Sequence, residues 1–278
     1  MKWLDATYAS PAANLACDEA LLELCEEEGV ETLRFWESPQ HFVVVGYANR
    51  IESEVNVEAC RRLGVPILRR CSGGGTVVQG PGCLNYNLTR RIHDHGPLLT
   101  VTATNALVME RNRSALEQLL GSPVMVKGHT DLAVAPNADS RTSPCPAGDS
   151  KGPTDGAINF NRSIKIANQA EDSTAWRKFS GNAQRRRRHA LVFHGTILYG
   201  FDVSLIGVLL RFPSKQPDYR QDRQHAQFVC NIPALAAEVK RALQRTWKAT
   251  ELLELHLEAR VNSLVESRYA TDAWNLRH

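Results

Sequence analysis

The chain has 278 residues and a formal net charge of +3, and 43% of its residues are hydrophobic and 23% charged. This length fits one large domain or two small ones, and the composition is that of an ordinary globular protein. The net charge is too small to indicate a nucleic-acid partner, and no run of about 18 apolar residues predicts a membrane-spanning helix.

The N-terminus lacks the apolar core and cleavage site of a signal peptide, and its early acidic residues argue against a transit peptide. The 7 cysteines are scattered along the chain without a CxxC pair. An odd number at such spacings favours reduced thiols over disulfides or a zinc site. We therefore expect a cytoplasmic protein.

The first part of the chain alternates helical and strand patterns. Asn14 is the expected N-cap of the first helix and Gly29 its expected stop. The apolar run in the second strand predicts a central strand that is covered on both faces. The predicted elements are a helix over 14–28, strands over 32–36 and 41–47, a helix over 55–63 and a strand over 65–70.

The stretch 69–88 combines two arginines, a serine and three consecutive glycines with two short strand patterns. Gly73, Gly74 and Gly75 lack a Cβ, so their backbone can approach a ligand closely and present N–H groups to it. The guanidinium groups of Arg69 and Arg70 suit phosphate or carboxylate. The pattern predicts an anion-binding loop, and a glycine-rich hairpin bend with two solvated arginines is the alternative.

The rest of the chain continues the alternation around one irregular stretch. Pro, Ser, Asn, Asp and Gly dominate an insertion at about 135–163, with 177 as its outer limit. The predicted elements are a helix over 102–120, strands over 123–126, 131–134, 164–167 and 190–199, and helices over 202–210, 233–247 and 250–265. This order predicts an α/β or α+β fold with a mixed or antiparallel sheet.

Four blocks in this order carry a family pattern. Together they resemble the lipoate–protein ligase A family, within the wider biotin/lipoate A/B ligase group. The blocks are NLACDEALL at 14–22, RRCSGGGTV at 69–77, KFSGNAQR at 178–185 and HGTIL at 194–198. The GRGRxxR-like loop of a biotin ligase is missing from the sequence.

The resemblance implies one catalytic domain over 1–278, with a helical end over 233–278 and no accessory C-terminal domain. The implied fold is α+β, a mixed, largely antiparallel β-sheet flanked by helices, as in class II biotin/lipoyl synthetases. The implied reaction is activation of lipoate or octanoate by ATP and Mg²⁺ to acyl-AMP, followed by transfer to a lysine. The implied acceptors are lipoyl carrier domains of 2-oxoacid dehydrogenase E2 subunits and the glycine cleavage H protein. The resemblance implies two alternatives for a short form of this kind, namely that an accessory ligase subunit is required to make the adenylate or that the chain only transfers a preformed acyl group.

The resemblance also assigns roles to individual residues. Lys178 is expected to be catalytic, because a lysine between the acyl oxygen and the phosphate can steady charge on both. Asp131 is a candidate Mg²⁺ ligand, with a strand-end cap as the alternative. The expected ATP or adenylate contacts are Arg70, Gly73, Gly74, Gly75, Thr76, Val77, Val78 and Lys178. The expected lipoyl contacts are Ser72, Gly74, Asn85, Ser180, Gly181, Ala183, His194, Gly195 and Thr196. Val44, Val77 and Tyr86 are candidates for the apolar slot of the acyl tail.

Two rival functions stay open. Octanoyltransferases of the same superfamily use a cysteine nucleophile and no ATP. At the places where that cysteine is expected, this chain has Leu191 with its neighbours and the cysteine-free stretch 123–130, but Cys71 lies in the glycine loop. A lipoyl-binding homologue without catalysis is the other rival. The basic run 185–188 is either a solvated hairpin tip or a docking surface for an acidic carrier domain.

Overall fold

The structure is a computed structural model that describes residues 1–135, 176–213, 216–254 and 257–277. Apart from its first residue and 176–177, the predicted insertion lies outside the described residues, as does the strand predicted at 164–167. The strands are β1 (Lys2–Asp5), β2 (Thr32–Trp36), β3 (Phe42–Val45), β4 (Ile67–Arg69), β5 (Val77–Gln79), β6 (Cys83–Arg91), β7 (Val124–Lys127), β8 (Asp131–Val134), β9 (Arg177–Arg186), β10 (Ala190–Leu198) and β11 (Glu251–Leu252).

The helices surround these strands and are short in the second half of the chain. They are α1 (Pro11–Glu28), α2 (Ile51–Glu54), α3 (Val57–Arg62), α4 (Val101–Leu120), α5 (Ser204–Leu209), α6 (His225–Phe228), α7 (Ala236–Trp247), α8 (Glu258–Leu264) and α9 (Asp272–Asn275). A 3₁₀ turn covers Asp218–Arg220 and a π-helical turn covers Val265–Tyr269. In the part of the chain that is described, none of the helices combines the length and apolar character needed to cross a membrane.

The main sheet is eight-stranded, in the order β11-β1-β2-β6-β10-β9-β8-β7. β1 pairs in parallel with β2 and β11, and every other neighbouring pair in this sheet is antiparallel. Helix α1 packs on one face, against β6 and β10, whereas α4 and α7 cover the other face. The predicted α+β class, a mixed and largely antiparallel sheet flanked by helices, is confirmed.

A second sheet, in the order β4-β3-β5, lies beside the α1 face of the first. Its central strand β3 is buried on both sides: Val44 packs in the cluster with α1, and Val43 and Val45 pack in a cluster with α5. The prediction of a central, doubly covered strand at this place is therefore confirmed. The loop that joins β4 to β5 carries the three glycines and crosses over the α1 face of the main sheet.

Two helix predictions differ from the structure at their ends. Helix α1 begins at Pro11 with Ser10 as N-cap, because proline suits the first helical position. Asn14 is therefore inside the helix, where its side chain bonds to the backbone of Tyr8. The helix predicted over 250–265 is wrong at its start, since Glu251–Leu252 pair with the free edge of β1. The block at 178–185 is part of strand β9.

Candidate active site

The carbonyl groups of the three loop glycines accept hydrogen bonds from Arg70 and Asn49. Arg70 Nη2 donates to the carbonyls of Gly73 and Gly75 at 2.6 and 2.8 Å, and Asn49 Nδ2 donates to that of Gly74 at 3.0 Å. Among the described residues, no partner accepts a hydrogen bond from the N–H groups of the three glycines. Gly74 has φ +87°, a backbone conformation that favours glycine. The loop thus presents donors that suit an anion.

Arg70 lies underneath this loop and is 8% exposed. Its Nε also donates to Ser72 Oγ at 3.0 Å, so most of its donors are committed to the loop itself. Burial lowers the pKa of the Arg70 guanidinium to about 10, which still leaves it charged at neutral pH. Arg70 therefore braces the loop, and a direct phosphate contact by this residue stays a prediction.

Glu54, which no sequence motif indicates, fixes the far end of the loop. Its Oε2 accepts from the backbone N–H of Thr76 at 3.1 Å, from the Thr76 hydroxyl and from Asn49 Nδ2 at 2.8 Å. The Thr76 donors that were assigned to the adenylate are thus occupied by this carboxylate. Val77 begins β5 beside Val44, and Val78 packs in the cluster of the second sheet.

A buried chain of charged and polar groups fixes Ser72. Ser72 Oγ lies 2.6 Å from His194 Nε2, and His194 Nδ1 lies 3.1 Å from Asp18 Oδ2. Because a carboxylate can only accept, Nδ1 carries the proton in the neutral ring, and Nε2 then accepts from the serine hydroxyl. Behind them, Arg34 Nη1 donates to Asp18 Oδ1 at 2.7 Å.

The charges in this series of hydrogen-bonded side chains depend on the Asp18–Arg34 pair. Arg34 is fully buried, and its guanidinium also donates to backbone and side-chain oxygens of Ala6 and Asn14. Burial alone would raise the pKa of Asp18, but the hydrogen bond from His194 and the charge of Arg34 outweigh it and lower that pKa. Asp18 is therefore ionised and can orient the imidazole.

Strand register places a row of site residues across the α1 face of the main sheet. Thr196 is opposite Asn85 on β6 and Gly181 on β9, and Gly181 is in turn opposite Asp131 on β8. Thr196 Oγ1 donates to Asn85 Oδ1 at 2.7 Å and accepts from Gln79 Nε2 at 2.6 Å. Because side chains two positions apart on a strand share a face, His194 and Ala183 form the next row.

The amine of Lys178 lies over this sheet face, above Gly181. A Cβ at position 181 would be 2.9 Å from both Cε and Nζ of Lys178. Nζ donates to Asp131 Oδ1 at 2.7 Å, and Tyr219 Oη donates to Asp131 Oδ2 at 2.9 Å. The lysine side chain is 27% exposed, so a ligand can reach it.

The glycine loop and the amine of Lys178 lie close together over strand β9. A Cβ at Gly74 would be 3.4 Å from the Cβ of Ala183, and Ala183 is two residues from Gly181 on the same face of β9. Two residues along a strand span about 6.6 Å. The structure thus brings together most of the predicted site, namely Ser72, Gly73, Gly74, Gly75, Asn85, Asp131, Lys178, Gly181, Ala183, His194 and Thr196.

Three predicted residues lie on the α4 face of the main sheet instead. Ser180 alternates with Gly181 and lies on the α4 face, where its hydroxyl accepts from Asn182 Nδ2. Gly195 is opposite Asn182, and a Cβ there would be 1.8 Å from Asn182 Oδ1. Tyr86 is also on the α4 face, since its hydroxyl donates to Asn182, so it cannot line a slot beside His194.

Cys71 does not have the surroundings of a nucleophile. It is 4% exposed, and burial together with the Glu19 carboxylate raises the pKa of its thiol to about 12. A nucleophilic cysteine needs an accessible thiolate in electropositive surroundings. The six cysteines among the described residues are all buried, and Cys145 lies outside those residues.

In the basic run 185–188 at the β9–β10 hairpin, Arg186 and Arg187 make contacts that stabilise the fold. Arg186 donates to the carbonyls of Leu98 and Leu99, and Arg187 pairs with Glu23 at 2.7 Å. Arg185 stacks on Tyr47 with 5.2 Å between the guanidinium carbon and the ring centroid. Arg185 and Arg188 are exposed and have no carboxylate partner among the described residues.

Four residues of the candidate site were not predicted from the sequence, namely Asp18, Arg34, Glu54 and Tyr219. An arginine inside the apolar strand TLRFW is the one local signal that could have indicated a buried ion pair. Tyr219 comes from a stretch without periodicity, 88 residues from Asp131, and had no such signal.

The model of the lipoyl protein ligase A/B catalytic domain family matches residues 10–259. The chain belongs to this family. Its members include ligases and octanoyltransferases, so the protein belongs to an enzyme family, and the predicted resemblance is confirmed.

Relatives of both kinds match nearly the whole chain. A protein of Aeropyrum pernix whose name assigns it provisionally to lipoate-protein ligase A is 36% identical over 253 residues, covering 90% of this chain and 76% of its own length. Octanoyltransferase LipM of Brevibacillus brevis is 27% identical over 289 residues, covering 96% of this chain and 95% of its own length.

Solved structures of lipoate ligases share the fold. The bipartite lipoate protein ligase of Thermoplasma acidophilum has a TM-score of 0.74 at 20% identity, covering 100% of this chain and 97% of that one. A lipoate-protein ligase A bound with ATP has a TM-score of 0.71 at 22% identity, covering 99% of this chain and 98% of that one.

Proposed function

We propose that this protein is a lipoate–protein ligase, which activates lipoate or octanoate with ATP and transfers the acyl group to a lysine of a lipoyl carrier domain. One observation carries the proposal: the N–H groups of Gly73–Gly75, which have no acceptor in the described parts of the chain, lie on the same sheet face as the amine of Lys178. Adenylation brings a carboxylate and a triphosphate together, and such a site needs donors and a cation to offset their repulsion.

In the first step an acyl carboxylate oxygen attacks the α-phosphorus, and pyrophosphate leaves. The glycine N–H groups would bind phosphate oxygens, while Lys178 would exchange Asp131 for the acyl and phosphate oxygens. In the second step the neutral amine of the carrier lysine attacks the acyl carbonyl, AMP leaves, and the amine loses a proton. Lys178 can balance the negative charge that grows on the AMP phosphate in this step.

Asp131 also fits the expected Mg²⁺, because this ion is usually held by one or two carboxylates together with phosphate and water oxygens. Within the described residues, no group of three or more His, Cys, Asp or Glu side chains could hold a metal ion. Asp131 and the phosphates would therefore hold Mg²⁺, which would supply positive charge to the triphosphate when bound.

The acyl end of the substrate would lie toward Ser72 and His194. The Ser72 hydroxyl donates to His194 Nε2 and accepts from Arg70 Nε, so one lone pair of Ser72 Oγ remains to accept a hydrogen bond from a ligand. Val44 and Val77 remain candidates for the apolar slot, since both pack in the cluster on this side of the second sheet.

The test is one incubation of the purified protein with lipoate, Mg·ATP and an apo lipoyl domain. Lipoylated carrier with release of AMP is the expected result. Cys71→Ser should leave the rate within about twofold, because a thiol with a pKa of about 12 is protonated at neutral pH. An accessory ligase subunit, as in the bipartite enzyme of Thermoplasma acidophilum, is the second component to add.

A thiol-dependent octanoyltransferase is the second candidate, favoured by the LipM relatives that match almost the full chain. It predicts acyl transfer from octanoyl carrier to apo carrier without ATP. Loss of that transfer in Cys71→Ser or Cys145→Ser, with retention in Lys178→Ala, would establish the transferase and reject the ligase. No transfer by either route, with lipoate still bound, would identify a lipoyl-binding homologue.

A further inference from the structure

Tyr219 contacts the candidate active site from a segment outside the four sequence blocks. It lies in the 3₁₀ turn Asp218–Arg220, and its hydroxyl donates to Asp131 Oδ2 at 2.9 Å. Lys178 Nζ occupies the other oxygen, Oδ1, at 2.7 Å. The carboxylate is therefore held between two donors, one on each oxygen.

The surroundings of Tyr219 fix its hydroxyl in this place. The residue is 8% exposed, and its ring lies 5.0 Å from that of Phe228. Arg223 Nη2 donates to the Tyr219 carbonyl at 2.8 Å, and Arg223 Nη1 donates to the Trp176 carbonyl at 3.1 Å. The guanidinium of Arg220 stacks on Phe228 at 5.0 Å. These contacts tie the turn to the start of β9, immediately before Lys178.

The phenol acts as a donor and not as a base. Its hydroxyl lies 2.9 Å from Asp131 Oδ2, and because a carboxylate oxygen can only accept, the phenol is the donor of this hydrogen bond. With Oδ2 occupied, Asp131 can offer Lys178 a single oxygen, and the ammonium stays free to bind a second oxygen from a ligand.

We propose that Tyr219 is a positioning residue for Lys178 and acts through Asp131. This inference rests on the proposed function insofar as it concerns catalysis. Without the phenol hydroxyl, the carboxylate can turn and bind the ammonium with both oxygens, which withdraws Lys178 from the substrate. When substrate displaces Oδ1, the phenol keeps Asp131 in place and keeps part of its charge compensated.

Tyr219→Phe is the test, and Tyr199→Phe is the matched control. Tyr199 donates its hydroxyl to Glu37 Oε2 at 2.6 Å, so the control also removes a phenol–carboxylate bond. We expect kcat for acyl-adenylate formation, followed by pyrophosphate release, to fall about tenfold in Tyr219→Phe, with the KM values for ATP and lipoate within about twofold. Tyr199→Phe should leave both constants unchanged.

A double-mutant cycle with Asp131→Asn separates positioning from general packing. If Tyr219 acts through Asp131, Tyr219→Phe should cost nothing further in the Asp131→Asn background. An additive loss would overturn the proposal, as would an unchanged kcat or a loss confined to KM in the single variant.

A second readout does not depend on turnover. Trace labelling of amines with acetic anhydride, quantified by mass spectrometry, reports the availability of Lys178 relative to Lys240, which pairs with Asp5 at 2.6 Å. We expect the labelling ratio of Lys178 to Lys240 to fall about threefold in Tyr219→Phe. An unchanged ratio rejects the positioning role even if wild-type protein forms no adenylate, whereas that lack of adenylate by itself would reject only the proposed ligase activity.

Discussion

The two ends of the candidate site hold their charges in different ways. At the glycine-loop end, Arg34 and Asp18 form an ion pair whose side chains are 0% and 4% exposed, and the pair fixes His194 and Ser72. At the lysine end, the ion pair of Lys178 and Asp131 is 27% and 15% exposed. The first pair is enclosed by the fold before any ligand arrives, whereas the second can be opened by a ligand. Rigidity at the glycine loop and an exchangeable partner at the lysine are what the proposed two-step acyl transfer would need.

The largest expected effect tests the lysine end. Lys178→Ala should reduce acyl-adenylate formation by about 10²–10³-fold, because it removes a cation from the place where charge develops. The control is Lys240→Ala, which removes a similarly ion-paired lysine whose side chain is 24% exposed. A Lys178→Ala protein with near-wild-type turnover would contradict the assignment of the site.

The next prediction tests the glycine-loop end, where we expect a loss of stability. Asp18→Asn leaves the Arg34 charge without its carboxylate and should lower the free energy of unfolding by about 3 kcal/mol. Urea denaturation measures this value. Asp5→Asn, which breaks a pair whose acid is 42% exposed, should cost less than about 1 kcal/mol. Equal effects of the two substitutions would show that the buried Arg34–Asp18 pair stabilises the fold no more than an exposed pair does.

The same aspartate predicts a dependence of stability on pH. The pKa of Asp18 is lower in the folded chain than its ordinary value, so the stabilisation is complete above the unfolded pKa of about 4. It is lost as the pH falls from there through the folded pKa. Asp18→Asn should lack this part of the acid profile, and thermal melting between neutral pH and pH values below about 4 compares the two proteins.

A smaller effect tests how closely the lysine packs. In Gly181→Ala the new methyl would lie 2.9 Å from Lys178 Nζ and must displace the amine. We expect a fall in kcat of about tenfold, since displacements near 1 Å at a reacting group cost one to two orders of magnitude. Gly207→Ala on helix α5, where a methyl meets nothing within 4 Å, is the control and should leave kcat unchanged.

The smallest effect concerns carrier docking at the hairpin. Arg188→Glu should raise the KM for the carrier about threefold at low salt, with the difference shrinking at high salt, and leave adenylate formation unchanged. Arg186→Glu should instead destabilise the fold, because its guanidinium holds the Leu98 and Leu99 carbonyls. An unchanged carrier KM in Arg188→Glu at low salt would remove this residue from the docking surface.

Local patterns account for the parts of the fold and site that could be predicted. Gly29 ends α1 at φ 73° as expected, and the alternation after residue 82 produces strand β6. Strands β1 and β11 were not predicted, because each is short and is held by its neighbours in the sheet. The N-cap was misplaced by four residues, since Ser10 and Asn14 are both acceptable caps and Pro11 decides between them.

By itself, the sequence determined the family, the glycine loop and the lysine of the candidate site, because these depend on residue types at fixed short spacings. Only the tertiary structure decided which groups support them. His194 and Asp18 are 176 residues apart, and Tyr219 and Asp131 are 88 apart. Sheet register and helix packing bring such groups together, and no local pattern encodes those distances. The same packing buries Cys71, a residue of the glycine loop, and thereby raises the pKa of its thiol.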